Sequence, residues 1–100
     1  MNGFARGILF DAAHPALPGH FPGQPLVPAV LMLEQVALAL RAWRGLRMAR
    51  VLEAKFVAPL LPDQSAQLEL TEMAGAAARI RFRIQRDGVM LAHGTVEGVR

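Results

Sequence analysis

Two side chains in this sequence of 100 residues are placed to move protons, His20 and Glu34. His20 stands in the loop-forming run Gly19-His20-Phe21-Pro22-Gly23, where flanking glycines and proline favour a fixed, presented imidazole. From Leu26 to Leu40, Glu34 and Gln35 are the only polar residues in an otherwise apolar segment. A carboxylate removed from water costs several kcal/mol unless it is paired, hydrogen-bonded or protonated. Glu34 therefore reads as an acid with a chemical task, and His20 as its nearest candidate partner.

The missing residue types narrow that task. The sequence has no Cys and no Tyr, one Lys (Lys55), one Ser (Ser65) and two Thr (Thr71, Thr95). Ser65 has no histidine near it in sequence, so covalent catalysis by serine or cysteine has almost no candidates. The glycines form no phosphate-cradling loop. His14, Asp11 and His20 lack the short spacing of a metal set, so no metal and no cofactor is expected. Acid–base chemistry by His and carboxylate remains.

Composition bounds the rest. One hundred residues make a single domain, 1–100. A hydrophobic content of 53% and a mean hydropathy of +0.29 exceed what one small core can bury, which points to a subunit interface and a homodimer or higher even oligomer. No uninterrupted apolar stretch of about 18 residues exists, so no membrane span is expected. Without cysteines or a signal-peptide pattern the chain reads as cytoplasmic. The net charge of +3 is a mild bias, and Arg79, Arg81 and Arg83 lack an aromatic platform beside them, so nucleic acid is not an expected partner. They read as the solvent face of a strand.

The elements that must position His20 and Glu34 follow from pattern. Gly3 to Phe10 reads as a first strand. Five prolines between Asp11 and Pro28 exclude helix and central strand, leaving an ordered loop. Pro28 suits the first turn of a helix running from Ala29 to Arg44 and stopping at Gly45, roughly 24 Å long. Its apolar residues occupy every face, as in a central helix wrapped by other structure. Four extended segments follow, about Ala49–Phe56, Gln64–Glu72, Ala76–Arg86 and Val89–Val99, with a hairpin at Asp87-Gly88. The expected fold is α+β: a curved antiparallel sheet of about five strands around one long central apolar helix, the outline of a hot-dog fold.

At the level of motifs, His20-Phe21-Pro22-Gly23, Pro25, Pro28 and Val30-Leu31-x-x-Glu34 resemble the active-site segment of the 3-hydroxyacyl-acyl-carrier-protein dehydratases, including its step of fourteen residues from His to Glu. Lys55-Phe56 followed by Pro59, Pro62 and Asp63 resembles a second segment of that family. Ala29 departs from the family's usual Gly at the helix start, and the chain is shorter than typical members, like the small stand-alone ones.

The resemblance implies dehydration of a 3-hydroxyacyl thioester, carried by an acyl carrier protein or coenzyme A, in fatty-acid or polyene-type lipid synthesis. His20 would take the α-proton, and Glu34, desolvated on its apolar helix, would be the protonated acid that releases water. The Ala29 amide would donate to the thioester oxygen, and the acyl chain would run past Phe21 and Phe56. His20 and Glu34 would meet across a dimer interface. Arg41, Arg44, Arg47 and Arg50 either complement the helix dipole or dock the acidic carrier. The alternatives are an acyl thioesterase of the same fold, or a non-catalytic hot-dog subunit that binds an acyl carrier.

Overall fold

Ile80, Phe82 and Ile84 alternate with Arg79, Arg81 and Arg83, and that alternation builds the sheet on which the apolar helix lies. In a computed structural model, which describes residues 3–14, 26–75 and 78–100, the order is β1 (Gly3–Ile8), α1 (Ala29–Arg44), β2 (Arg47–Phe56), β3 (Ala66–Glu72), β4 (Arg79–Arg86) and β5 (Val89–Val99). All neighbours are antiparallel, in the order β1-β3-β4-β5-β2. The sheet curves about α1, so the fold is a hot-dog fold.

Local chemistry explains the limits of α1, which match those read from the sequence. Pro28 caps it in extended geometry (φ −63°), and its missing N–H is no loss at that position. Gly45 ends it in the left-handed region (φ 66°), where its N–H donates to the Arg41 carbonyl at 2.9 Å. The β4–β5 turn places Asp87 and Gly88 at φ 50° and 79°, as a two-residue hairpin of the primed kind requires.

Strand limits differ at four ends. β1 stops at Ile8 rather than Phe10, because the Phe10 carbonyl is taken by the Asp63 N–H at 2.7 Å. β2 starts earlier than read, at Arg47, directly after the helix cap. β3 starts at Ala66, since Gln64 closes a turn: its N–H donates to the Leu61 carbonyl and its side chain accepts from the Leu61 N–H. β4 starts at Arg79; residues 76–77, expected in the strand, lie outside the described residues.

The core is the contact of α1 with the concave face. Leu31, Met32, Val36, Ala39 and Leu40 from the helix meet Leu68, Leu70, Ile80, Phe82, Ile84 and Val96 from the strands. Each such side chain contributes about 1.5–3 kcal/mol on burial. The sheet covers only one side of the helix. Val30 (68% exposed), Glu34 and Leu38 (50% exposed) follow one another at intervals of four and lie on the uncovered side. The expectation of a helix wrapped on every face is corrected to this extent within one chain. Edge strand β2 likewise exposes Val51, Leu52 and Phe56.

Gly94 shows how closely the layers meet. It pairs with Phe82 on β4 and Ala54 on β2. A Cβ there would collide with the Glu53 carbonyl and stand 2.7 Å from the Phe82 ring. Gly94→Ala is expected to cost about 3 kcal/mol by overpacking. In urea unfolding the midpoint should fall with an unchanged slope.

Candidate functional site

Among the described residues no side chain caps the helix start, and the first turn carries no acidic residue. The Leu31 and Met32 N–H groups both return to the Pro28 carbonyl, at 3.0 and 3.4 Å. The Ala29 N–H has no acceptor among the described residues. It is an orphan donor at the positive end of the helix dipole, ready for an oxygen atom brought to it.

Around that donor the chain forms an apolar cleft of about 250 Å³. Leu26, Pro28, Ala29 and Met32 line it from the helix side, and Phe56 and Ala58 from the end of β2. Two of the expected substrate-binding residues, Ala29 and Phe56, are thus brought together although far apart in sequence. Met32 and Ala58 were not singled out in the sequence. Met32 could have been, since it lies one turn below Ala29 on the same side of the helix.

The cleft is held by ties to the β2–β3 connection. The Val27 N–H donates to the Leu60 carbonyl at 2.9 Å, fixing the approach to the helix. On the other side of the proline-rich segment, Asp63 accepts from the Ala12 N–H at 3.1 Å while its own N–H reaches the Phe10 carbonyl. Asp11 closes a local turn by accepting from the Ala13 N–H at 2.7 Å. The chain thus enters and leaves residues 15–25 on one connection, Leu60 to Asp63. His20 and Phe21, the expected base and acyl contact, fall inside 15–25 and lie outside the described residues.

Glu34 stands one turn beyond Val30 on the uncovered side of α1. The sequence reads it as a carboxylate removed from water; within a single chain it is exposed. The reason is geometric: the sheet takes the Leu31–Met32–Val36–Leu40 side, and Glu34 falls opposite.

The four arginines at the helix end do not form one free patch. Arg44 pairs with Glu72 at 2.6 Å and stacks over Trp43 at 4.2 Å, and Arg50 pairs with Glu97 at 3.2 Å. Arg41 and Arg47 are exposed and make no ion pair among the described residues.

A family model of the ApeI-like dehydratases (ApeI dehydratase) matches residues 5–95. The chain belongs to the ApeI-like dehydratase family. Among curated relatives, it is 33% identical over 93 residues to the 3-hydroxyacyl-[acyl-carrier-protein] dehydratase FabZ of Klebsiella pneumoniae, covering 82% of this chain and 59% of that one. With the enzyme of the same name from Haemophilus influenzae it shares 36% over 66 residues, 56% of this chain and 45% of that one. The chain thus spans about half the length of the curated relatives it matches. The dehydratase heterocomplex ApeI:P from Xenorhabdus doucetiae superposes with a TM-score of 0.86 at 23% identity, over 99% of this chain and 88% of that one. A 1,4-dihydroxy-2-naphthoyl-CoA thioesterase from Synechocystis superposes at 0.70 and 17% identity, over 97% and 80%. At these identities the two structures show the shared fold alone.

Asp63 lies at positive φ (64°), which Asp and Asn tolerate better than other side chains. Asp63→Ala should cost about 1 kcal/mol in chemical denaturation, through the lost bond to Ala12 and the turn strain. Asp63→Asn, which keeps an acceptor oxygen, should be nearly neutral.

Proposed function

We propose that the chain dehydrates a 3-hydroxyacyl thioester to the trans-2-enoyl thioester, with a carrier-borne acyl group in fatty-acid or polyene-type lipid synthesis. The observation that carries this reading is the uncapped Ala29 amide opening into an apolar cleft beside Phe56. An acyl chain can lie in such a cleft while its thioester oxygen accepts from the amide, where enolate-like charge develops. Ala29 in place of Gly leaves that N–H in place.

The reaction needs a base at the α-carbon and an acid at the β-hydroxyl. His20 takes the α-proton; the C–H electrons form the double bond as the β C–O bond breaks. Glu34 gives its proton to the departing hydroxyl, which leaves as water. The exposed line Val30, Glu34, Leu38 and the exposed edge strand β2 are the surfaces a second copy would cover. In that homodimer Glu34 loses water and the site is completed by the partner's histidine loop.

Glu34→Gln keeps shape and removes the acid, so it should lower hydration of a trans-2-enoyl thioester by about 10² to 10⁴. The variant should keep a dimeric mass, twice 10.9 kDa, in light scattering. Near-normal turnover would remove Glu34 from the mechanism, and a folded monomer would remove the composite site. A second reading, hydrolysis of the thioester, is favoured by the exposure of Glu34 in one chain and by the thioesterase of the same fold. It releases a free thiol and a carboxylic acid, whereas dehydration leaves the thioester intact, so a thiol-release assay separates the two. The remaining alternative, a non-catalytic carrier-binding subunit, predicts no turnover by the purified chain.

The free arginines suit an acidic carrier. Reversing Arg41 and Arg47 together leaves both ion pairs of the helix end intact. It should raise the KM for carrier-bound substrate several-fold, more at low salt than at high, with a small thioester mimic unaffected. Equal losses on both substrates would place the damage in the fold.

A further inference from the structure

The convex face of the sheet, turned away from the helix and cleft, carries a hollow of about 410 Å³. Arg81 and Arg83 of β4, Met90, His93 and Thr95 of β5, and Glu53 of β2 line it. Strand register explains the gathering. Arg83 is the direct partner of His93, and His93 of Lys55, so three basic side chains stand in one row across three strands. The adjacent row is Arg81, Thr95 and Glu53. Among the described residues no side-chain hydrogen bond or ion pair is made by Arg81, Arg83, Lys55 or His93.

The contrast with the rest of the sheet is informative. Arg50 and Arg79, one step along the strands, both reach Glu97, and Arg44 reaches Glu72. Arg81 and Arg83 have carboxylates as near neighbours in register, through Glu69 beside Arg83 and Glu53 in the adjoining row, yet pair with neither. Glu69 instead accepts from Gln85 at 3.3 Å. Arg81 and Arg83 stand two residues apart on one strand, so both side chains project from the same face into the hollow. Two guanidinium forks on alternate residues of one strand, with a hydroxyl and an imidazole on the next, present donors suited to the oxygens of two linked phosphates.

We propose that this convex hollow binds a phosphate-bearing small molecule, a diphosphate group held by Arg81 and Arg83 with His93 and Thr95 around it and Glu53 at its far wall. The site is separate from the apolar cleft, and the inference does not rest on the dehydratase reading. Its ligand is either a free phosphorylated metabolite or the phosphate end of a coenzyme A-type carrier.

Titration calorimetry of the full chain with inorganic pyrophosphate tests it, with amide chemical shifts to locate binding. Saturable binding is expected, with shifts confined to residues 81–83 and 93–95. Arg81→Gln and Arg83→Gln should each weaken it about tenfold, Arg83→Lys less, and the charge-matched control Arg100→Gln not at all. Thermal unfolding of each variant separates lost binding from lost fold. Turnover of a small enoyl thioester by Arg83→Gln should equal that of the parent, so failure of the dehydratase reading leaves this test intact. Coenzyme A competing with pyrophosphate would identify the carrier end as the source; pyrophosphate binding without such competition would identify a free metabolite. Absence of binding, equal weakening by Arg100→Gln, or a polyglutamate peptide that binds the hollow while pyrophosphate does not would each overturn the proposal.

Discussion

Packing one apolar helix against one concave sheet is the constraint on which everything else in this chain depends. Leu31, Met32, Val36, Ala39 and Leu40 can leave water only by meeting Leu68, Leu70, Ile80, Phe82, Ile84 and Val96. That single contact orients α1. It brings the helix start beside the end of β2, so Ala29 and Phe56 share a cleft. It also turns Val30, Glu34 and Leu38 outward. The same rotation that buries the core therefore exposes the carboxylate.

The exposed side and the edge strand make a consistent pair. A domain this small leaves apolar surface it cannot cover with its own chain. Here part of that surplus, Val30 and Leu38 on the helix and Val51, Leu52 and Phe56 on β2, lies where a second copy could reach it, while Leu9, Leu61 and Val89 are exposed elsewhere. Charge is partitioned as well: Arg44, Arg50 and Arg79 find carboxylates, while Arg81 and Arg83 remain unmatched on the convex face.

Membership of the ApeI-like dehydratase family fixes a lineage, and the fold is shared with a thioesterase that performs a different reaction on a thioester. What separates such chemistries is the set of side chains around the cleft and their state of solvation, since the scaffold itself is common to both. Two features of this chain bear on that difference. The helix start offers an amide with no acceptor among the described residues, and Glu34, one turn along the helix, is exposed.

The sequence by itself determined the helix from Ala29 to Arg44, the hairpin at Asp87-Gly88, the inward set Ile80, Phe82 and Ile84, and the family. These are legible because proline, glycine and periodicity act within a few residues, and because the motif around His20 and Glu34 is local. Tertiary structure alone decided that Phe56 and Met32 meet at the helix start, that Asp63 ties down the segment after β1, and that Glu34 lies outside the core. It also decided which arginines find partners. An apolar run with one acid looks buried on every side in sequence, but a single sheet can cover only one side of a helix. Likewise four arginines close in sequence look alike until the packing of α1 on the sheet sets Glu72 beside Arg44 and strand register sets Glu97 beside Arg50. Facing is encoded by spacing along the chain; covering and pairing depend on what other segments bring, and only the folded register supplies that.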